Sequence, residues 1–188
     1  MNNNTNDIIL WESFNTGNKE SFGLLFRRYY GQLYNYGCKI TSDTNLLEDT
    51  IQELFTELWQ NKSQTQVLSV KAYLMKALKY KLFKQLKCKK SFTQEVPEAI
   101  HFEISYESLK IASEEDEIKA KKIHHSLQRI SNRQKEIIYL KFYQDLSYDE
   151  ISEVMQINYQ AARNLLYQAV KSLKVILQDT MSMMLFFV

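Results

Sequence analysis

Hydrophobic residues return at every third or fourth position through most of this chain, the spacing of amphipathic helices. Phe22, Leu25, Phe26, Tyr29, Leu33 and Tyr36 lie on one such face, and Thr41-Ser42-Asp43 interrupts it. Leu47, Ile51, Leu54, Phe55 and Leu58 form a second stripe that ends near Trp59. Asn61–Gln66, NKSQTQ, is polar and predicts a loop. A third helix is predicted from about Ser69 to Lys87, with Val70, Tyr73, Leu74, Ala77, Leu78 and Leu82 inward. Three helices of this length bury a modest core, so residues 7–90 are expected to form one helical domain.

The pattern then lapses. Residues 91–116 carry Pro97, scattered apolar residues and most of the acidic run Glu114-Glu115-Asp116-Glu117. They are expected to be a linker with a short helical piece around Tyr106–Ile111. Helical spacing resumes at Ile118, Ile123, Leu127 and Ile130, and Ser131 is a suitable cap for a helix carrying Ile137, Leu140 and Lys141. A second domain is expected over 117–178, followed by an apolar tail, 179–188.

Within the second domain, Ser147 and Glu150 form an S-x-x-E capping box. A helix should run from Tyr148 to about Met155, and Asn158 can cap the next one. Only about three residues separate the two, which forces a helix-turn-helix crossing. Ile151, Met155, Ile157, Ala162 and Leu165 sit where such a unit needs apolar residues, and Ser152 is small where the helices approach. Gln156 occupies the turn position usual for Gly, which makes a left-handed turn costlier.

Composition agrees with an all-α reading. The 188 residues include one Pro and four Gly, the latter all between Gly17 and Gly37, too few for the turns of a β-rich fold. The net charge of +2 hides segregation: five acids and no base from Asp43 to Glu57, then nine lysines and no acid from Leu58 to Gln94. That asymmetry predicts one face for a basic partner and another for nucleic acid. Cys38 and Cys88, with no secretory signal at the start of the chain, read as reduced cytoplasmic thiols.

The outward face of the last helix carries Tyr159, Gln160, Arg163, Asn164, Tyr167, Gln168 and Lys171, with Lys174 a turn beyond. Gln and Asn pair with adenine in the major groove, Arg pairs with guanine, and Lys suits phosphates. No acid occurs from Asn158 to Gln178, as a surface facing phosphates requires. In the basic helix, Tyr73 and Tyr80 are interleaved with Lys76, Lys79, Lys81 and Lys84, a pattern suited to stacked bases and tracked phosphates. Tyr73 lies on the buried stripe and is expected in the core. An enzyme reading finds little: His101, His124 and His125 have no carboxylate or Cys at metal-ligand spacing, and no Gly-rich phosphate loop exists.

With these motifs in this order the chain resembles an extracytoplasmic-function (ECF) sigma factor of the sigma-70 superfamily, in wording similar to members from Bacteroidetes. ESFGLLFRRYYGQLYNYGCKI is similar to the family's first conserved helix, and LEDTIQELFTELWQNK to its acidic region 2.2. VKAYLMKALKYKLFKQLKCKK is similar to the promoter-melting helix. The stretch from Arg129 to Lys174, which includes the helix-turn-helix, is similar to region 4.

The resemblance implies two small helical domains on a tether, and a promoter-specificity subunit that needs no cofactor. Its partners would be core RNA polymerase (β′ clamp and β flap), promoter DNA and an anti-sigma factor. Asp49, Gln52 and Glu53 match the D-x-x-Q-E residues that dock on the β′ clamp. Asn61, Lys62, Gln64, Lys76, Lys79, Tyr80 and Lys84 would serve the -10 element, with a flipped base read at the NKSQTQ loop. Tyr80 and Lys84 depart from the family's usual residues there. Tyr159, Gln160, Arg163, Asn164, Tyr167, Lys171 and Lys174 would serve the -35 element.

A coil from Lys89 to Asp116 would relax to roughly 30 Å and extend to about 90 Å, so it would have to be held open on a promoter. The tail MSMMLFFV is expected to fold back on its own chain, with a docking strip for an anti-sigma factor as the alternative. The rival functions are a stand-alone helix-turn-helix regulator and a helical interaction scaffold.

Overall fold

Side-chain caps mark where most of the helices begin. The structure, a computed structural model, describes residues 3–61, 66–89, 101–106 and 114–185. They form α1 (Asn3–Asn15), α2 (Lys19–Gly37), α3 (Thr44–Gln60), α4 (Val70–Lys89), α5 (Glu114–Gln128), α6 (Asn132–Ile138), α7 (Tyr148–Met155) and α8 (Tyr159–Leu185). The Asn18 side chain accepts from the Glu20 and Ser21 amides to start α2, and Asp43 accepts from Leu46 to start α3. Each satisfies amides that have no partner within the helix. The chain divides into two compact units, one on Met1–Glu98 with Glu153–Gln156 and the other on Ala99–Ser152 with Ile157–Val188.

The first unit is a four-helix bundle in which α1 packs on α2 and α4, and α2, α3 and α4 pack on one another. Leu25, Leu33, Tyr36, Leu47, Ile51, Leu74, Leu78 and Leu82 are buried at its centre. Each such side chain contributes about 1.5–3 kcal/mol. The α2 and α3 helices meet so closely that a Cβ at Gly37 would lie 2.2 Å from Leu47 Cδ1. Leu47 is itself fully buried, so only glycine fits there.

The α1 helix is an element the hydrophobic pattern did not predict. Among its described side chains, Asp7, Trp11 and Phe14 are buried and share one helical face, but the first is an acid. Asp7 is held by Arg28 and by the Tyr29 hydroxyl, so its charge is paired rather than stranded.

In the second unit, α5 and α6 pack against α8. Ser131 and Gln134 close a capping box at the start of α6. Past Ile138 the helix widens into a π-helical stretch, Tyr139–Tyr143, closed by Gln144 N–H to Tyr139 O at 3.1 Å. Asp145 then turns with φ 51°. The widening buries both Leu140 and Leu146, and Lys141 Nζ ties the corner to the Leu146 carbonyl at 3.0 Å.

Three expectations are corrected here. First, the acidic run from Glu114 is the first turn of α5 and not linker, since acids suit a helix N-terminus. Second, part of the expected linker is packed: Phe102 and Ile104 are buried in the second unit, with Phe102 edge-on to Tyr139 at 5.6 Å. The short helix expected around Tyr106–Ile111 lies, beyond Tyr106, outside the described residues. Third, α8 runs on through Met181 to Leu185 instead of turning back. No Gly or Pro interrupts it, and Met and Leu are strong helix formers. The last residues of the tail, 186–188, lie outside the described residues.

Candidate polymerase and DNA interfaces

The helix-turn-helix forms as its caps dictate. Ser147 N–H donates to Glu150 Oε2 at 2.8 Å, and Glu150 N–H donates to Ser147 Oγ at 3.3 Å. Asn158 Oδ1 accepts from Ala161 N–H at 2.7 Å and starts α8. Gln156 makes the turn at φ 53°, so a glutamine does take the left-handed conformation there. Ile151, Val154 and Met155 of α7 are buried, and so are Ala162, Leu166 and Ala169 of α8. Leu166, not Leu165, is the buried leucine; Leu165 is half-buried.

That packing decides which face of α8 is free. Tyr159, Gln160, Arg163, Asn164, Tyr167, Gln168, Lys171 and Lys174 are all exposed. Gln160 Nε2 donates to Asn164 Oδ1 at 3.2 Å, one turn apart, which orients both amides before any ligand arrives. Tyr159 packs edge-on against Tyr148, whose ring lies 5.5 Å from Lys141 Nζ. Among the described residues Arg163, Lys171 and Lys174 make no salt bridge, so their charges remain for a partner.

The first unit presents two further faces. On α3, Asp49, Gln52 and Glu53 are exposed on neighbouring turns. Glu53, however, is already engaged: it accepts from Lys81 Nζ at 2.9 Å and from Gln85 Nε2 at 2.9 Å. Lys81 also reaches Glu57 at 2.7 Å, and Gln85 accepts from the Thr50 hydroxyl at 2.6 Å. This chain of bonds sutures α3 to α4. The hydrogen bond from Lys81 holds the Glu53 carboxyl below its usual range. Burial works against the Lys81 charge, but hydrogen bonds to Glu57 and Glu53 outweigh it and hold the ammonium above its ordinary value.

On α4, Tyr80 and Lys84 are exposed, and Lys76 and Lys79 half-buried. Tyr80 and Lys84 border a groove of about 640 Å³ among α1, α3 and α4, with Asn61 at the end of α3 and Trp11 and Tyr73 in its wall. Tyr73 is half-buried, edge-on to Trp11 at 5.1 Å, between the core and platform readings. Lys62 and Gln64 lie outside the described residues. Trp11 and Phe14 of α1 are wall residues that the sequence reading missed, although their three-residue spacing is a helical signal. Among the described residues no cluster of His, Cys, Asp or Glu could hold a metal ion. His101 is exposed, and His124 faces the Tyr106 ring.

Comparison with known proteins agrees with this layout. The family profile for sigma-70 region 2 matches residues 25–92, and that for sigma-70 region 4 matches residues 120–173. Together they cover most of the chain, and it belongs to the sigma-70 family, as a promoter-recognising subunit that pairs region 2 with region 4. Its fold is similar to that of CnrH, solved in complex with the cytosolic domain of CnrY: TM-score 0.61 and 16% identity, over 92% of this chain and 97% of that one. It is also similar to the sigma factor RpoE in complex with the anti-sigma factor NepR from Bartonella quintana: TM-score 0.57 and 19% identity, over 85% and 98%. No curated protein matches the chain.

Proposed function

We propose that this chain acts in the cytoplasm as a sigma factor of the ECF class, without catalysis of its own, and that its three faces divide the work. The acidic face of α3, led by Asp49 and Gln52, docks on the basic surface of the polymerase β′ clamp. Lys76, Lys79, Tyr80 and Lys84 of α4, with Asn61, Lys62 and Gln64, meet the -10 element. The α8 face from Tyr159 to Lys174 reads the -35 element, and the second unit rests on the β flap. The single observation that carries the reading is the α8 surface: eight polar or aromatic side chains stand exposed behind a buried Ala162–Leu166–Ala169 seam, with no acid among them.

An anti-sigma factor is the expected regulator, because one structural neighbour was solved with a protein of that kind. The stand-alone regulator is less favoured because it leaves the acidic α3 face without a use. Reconstitution with core polymerase tests the choice. The chain should co-elute with core enzyme and direct initiation from a promoter that core alone ignores. Tight duplex binding with no affinity for core would favour the stand-alone regulator.

A further inference from the structure

The outer face of α2 carries a pattern that the bundle itself does not need. Glycine is the poorest helix former after proline, yet Gly31 stands exposed in the middle of this helix. Nothing lies within 4 Å of where its Cβ would be, in contrast to Gly37, which Leu47 crowds. One ridge of side chains runs past this notch. Leu24 stands seven residues before it and is 43% exposed, Arg27 four before, Tyr34 three after and Cys38 seven after. At 3.6 residues per turn these positions share one side of the helix. Arg27 and Cys38 are exposed, and Tyr34 is half-buried.

The charges on this face are of both signs. Arg27 makes no salt bridge among the described residues. The Tyr34 hydroxyl is held above its ordinary pKa by Cys38 first, then by desolvation and by Glu48 of α3, which puts that carboxylate beside the ring. Tyr34 also stacks on Tyr30 at 6.3 Å. A uniformly basic partner would meet Arg27 as a like charge, and a uniformly acidic one would meet Glu48 so. A cation on one side of a notch and an acid on the other fit a second copy of the same face, turned end for end.

We propose that this face pairs two copies of the chain about a two-fold axis passing Gly31, with their α2 helices antiparallel. The two glycines on the axis let the helix backbones approach. Arg27 of each copy meets Tyr34 and Glu48 of the other, where its guanidinium lies over a ring and beside a carboxylate. Leu24 meets Cys38 of the other copy and leaves water. Glu20, the acid of α2 itself, falls beyond the partner helix, which ends at Gly37. Glu48 adjoins Asp49, so pairing and polymerase docking exclude each other; this consequence alone rests on the docking reading proposed above.

Sedimentation of the full chain over a concentration series tests the pairing. A contact of two helices is small, so the 22.3 kDa chain should be monomeric near about 1 μM and approach twice that mass near about 200 μM. Gly31→Gln should keep the helix, because the space is open and glutamine is the better helix former, and should weaken association by about tenfold or more. Arg27→Glu and Glu48→Arg should each do the same by facing like charges, and the two together should restore the dimer.

A parent chain that stays monomeric at the highest of these concentrations overturns the proposal and leaves the face to a different partner. So does a dimer that Gly31→Gln leaves intact, or a folded double reversal that stays monomeric. Should a charge variant fail to fold, Gly31→Gln decides. Core polymerase added to the dimer should give a complex with one copy of the chain, and a complex with two overturns the exclusion. No complex at all would fall on the docking reading, while the pairing, measured without polymerase, stands or falls by the sedimentation.

Discussion

The α4 helix and the first twenty residues of α8 look alike in sequence, since both are lysine-bearing and free of acids, yet they spend their charges differently. Lys81 of α4 faces Glu53 and Glu57 of α3 and serves as a suture between helices. In α8, Arg163, Lys171 and Lys174 face outward with no acid within the same helix from Asn158 to Gln178. A basic helix is therefore not by itself a DNA-binding surface. What matters is which cations the neighbouring helix has already neutralised, and that depends on packing.

The largest break in this comparison should come from α8. Arg163→Ala with Asn164→Ala removes a guanidinium and one half of the oriented Gln160–Asn164 pair. A lost bidentate base contact costs about 1–3 kcal/mol, so selectivity for the upstream element should fall by about fivefold to 150-fold. Binding to core polymerase should not change. In-vitro transcription on promoters with intact and scrambled upstream elements gives the ratio directly, and equal selectivity in variant and parent would remove α8 from the reading.

The next break separates docking from suturing on α3. Asp49→Lys with Gln52→Lys should weaken binding to core enzyme by about tenfold or more, by turning a complementary surface repulsive, with little change in melting temperature. Glu53→Lys should lower both affinity and melting temperature, because it sets a cation against Lys81. Titration against core enzyme beside thermal unfolding distinguishes the two. If Asp49 and Gln52 prove neutral for affinity, the polymerase face lies elsewhere.

A smaller effect should split α4 itself. Lys84→Met removes a cation left for phosphate and should lower the salt dependence of DNA binding by about one unit of slope, with stability unchanged. Lys81→Met should leave that slope alone and loosen the contact between α3 and α4. Measuring affinity for a promoter in the polymerase complex over a salt series checks both, and identical slopes in the two variants would erase the distinction.

The contrast also explains what the sequence could disclose. The helix-turn-helix was legible because its signals are local: Ser131, Ser147–Glu150 and Asn158 each cap a helix within three residues of themselves. The α8 face was legible because the residues of its buried seam are small or apolar. The misread leucine, 165 for 166, is a one-residue error of phase. What stayed hidden depends on contacts far apart in the chain. The α1 helix was missed because one of its three inward residues is Asp7, whose partners lie on α2, 21 and 22 residues on. Lys81 is indistinguishable in sequence from Lys84, and only the approach of α3 separates them. The segment His101–Tyr106 shows just two fully buried residues, Phe102 and Ile104, at alternate positions, too short a run to stand out beside Pro97.

The smallest prediction concerns pH and isolates the suture. Because Lys81 holds the Glu53 carboxyl below its usual value, the unfolded chain binds more protons than the folded one as the solution becomes acid. The contribution of the pair is therefore full above the ordinary carboxylate value and is lost as pH falls through the lowered one. Lys81, held above its ordinary value, gives the opposite limb: its contribution is full below that value and fades as pH rises past it. Glu53 is about half-exposed, with 47% of its side-chain surface open, so water screens the pair. Its worth should be about 1 kcal/mol or less. Both tryptophans, Trp11 and Trp59, lie in the first unit, so their fluorescence reports that unit's unfolding in the intact chain. The stability gap between parent and Lys81→Met should be widest between the ordinary carboxylate and ammonium ranges, and should close as pH falls through the lowered Glu53 value and the carboxyl takes up its proton. A gap that holds constant into acid would mean that the bonds from Lys81 to the Glu53 and Glu57 carboxylates contribute nothing to folding.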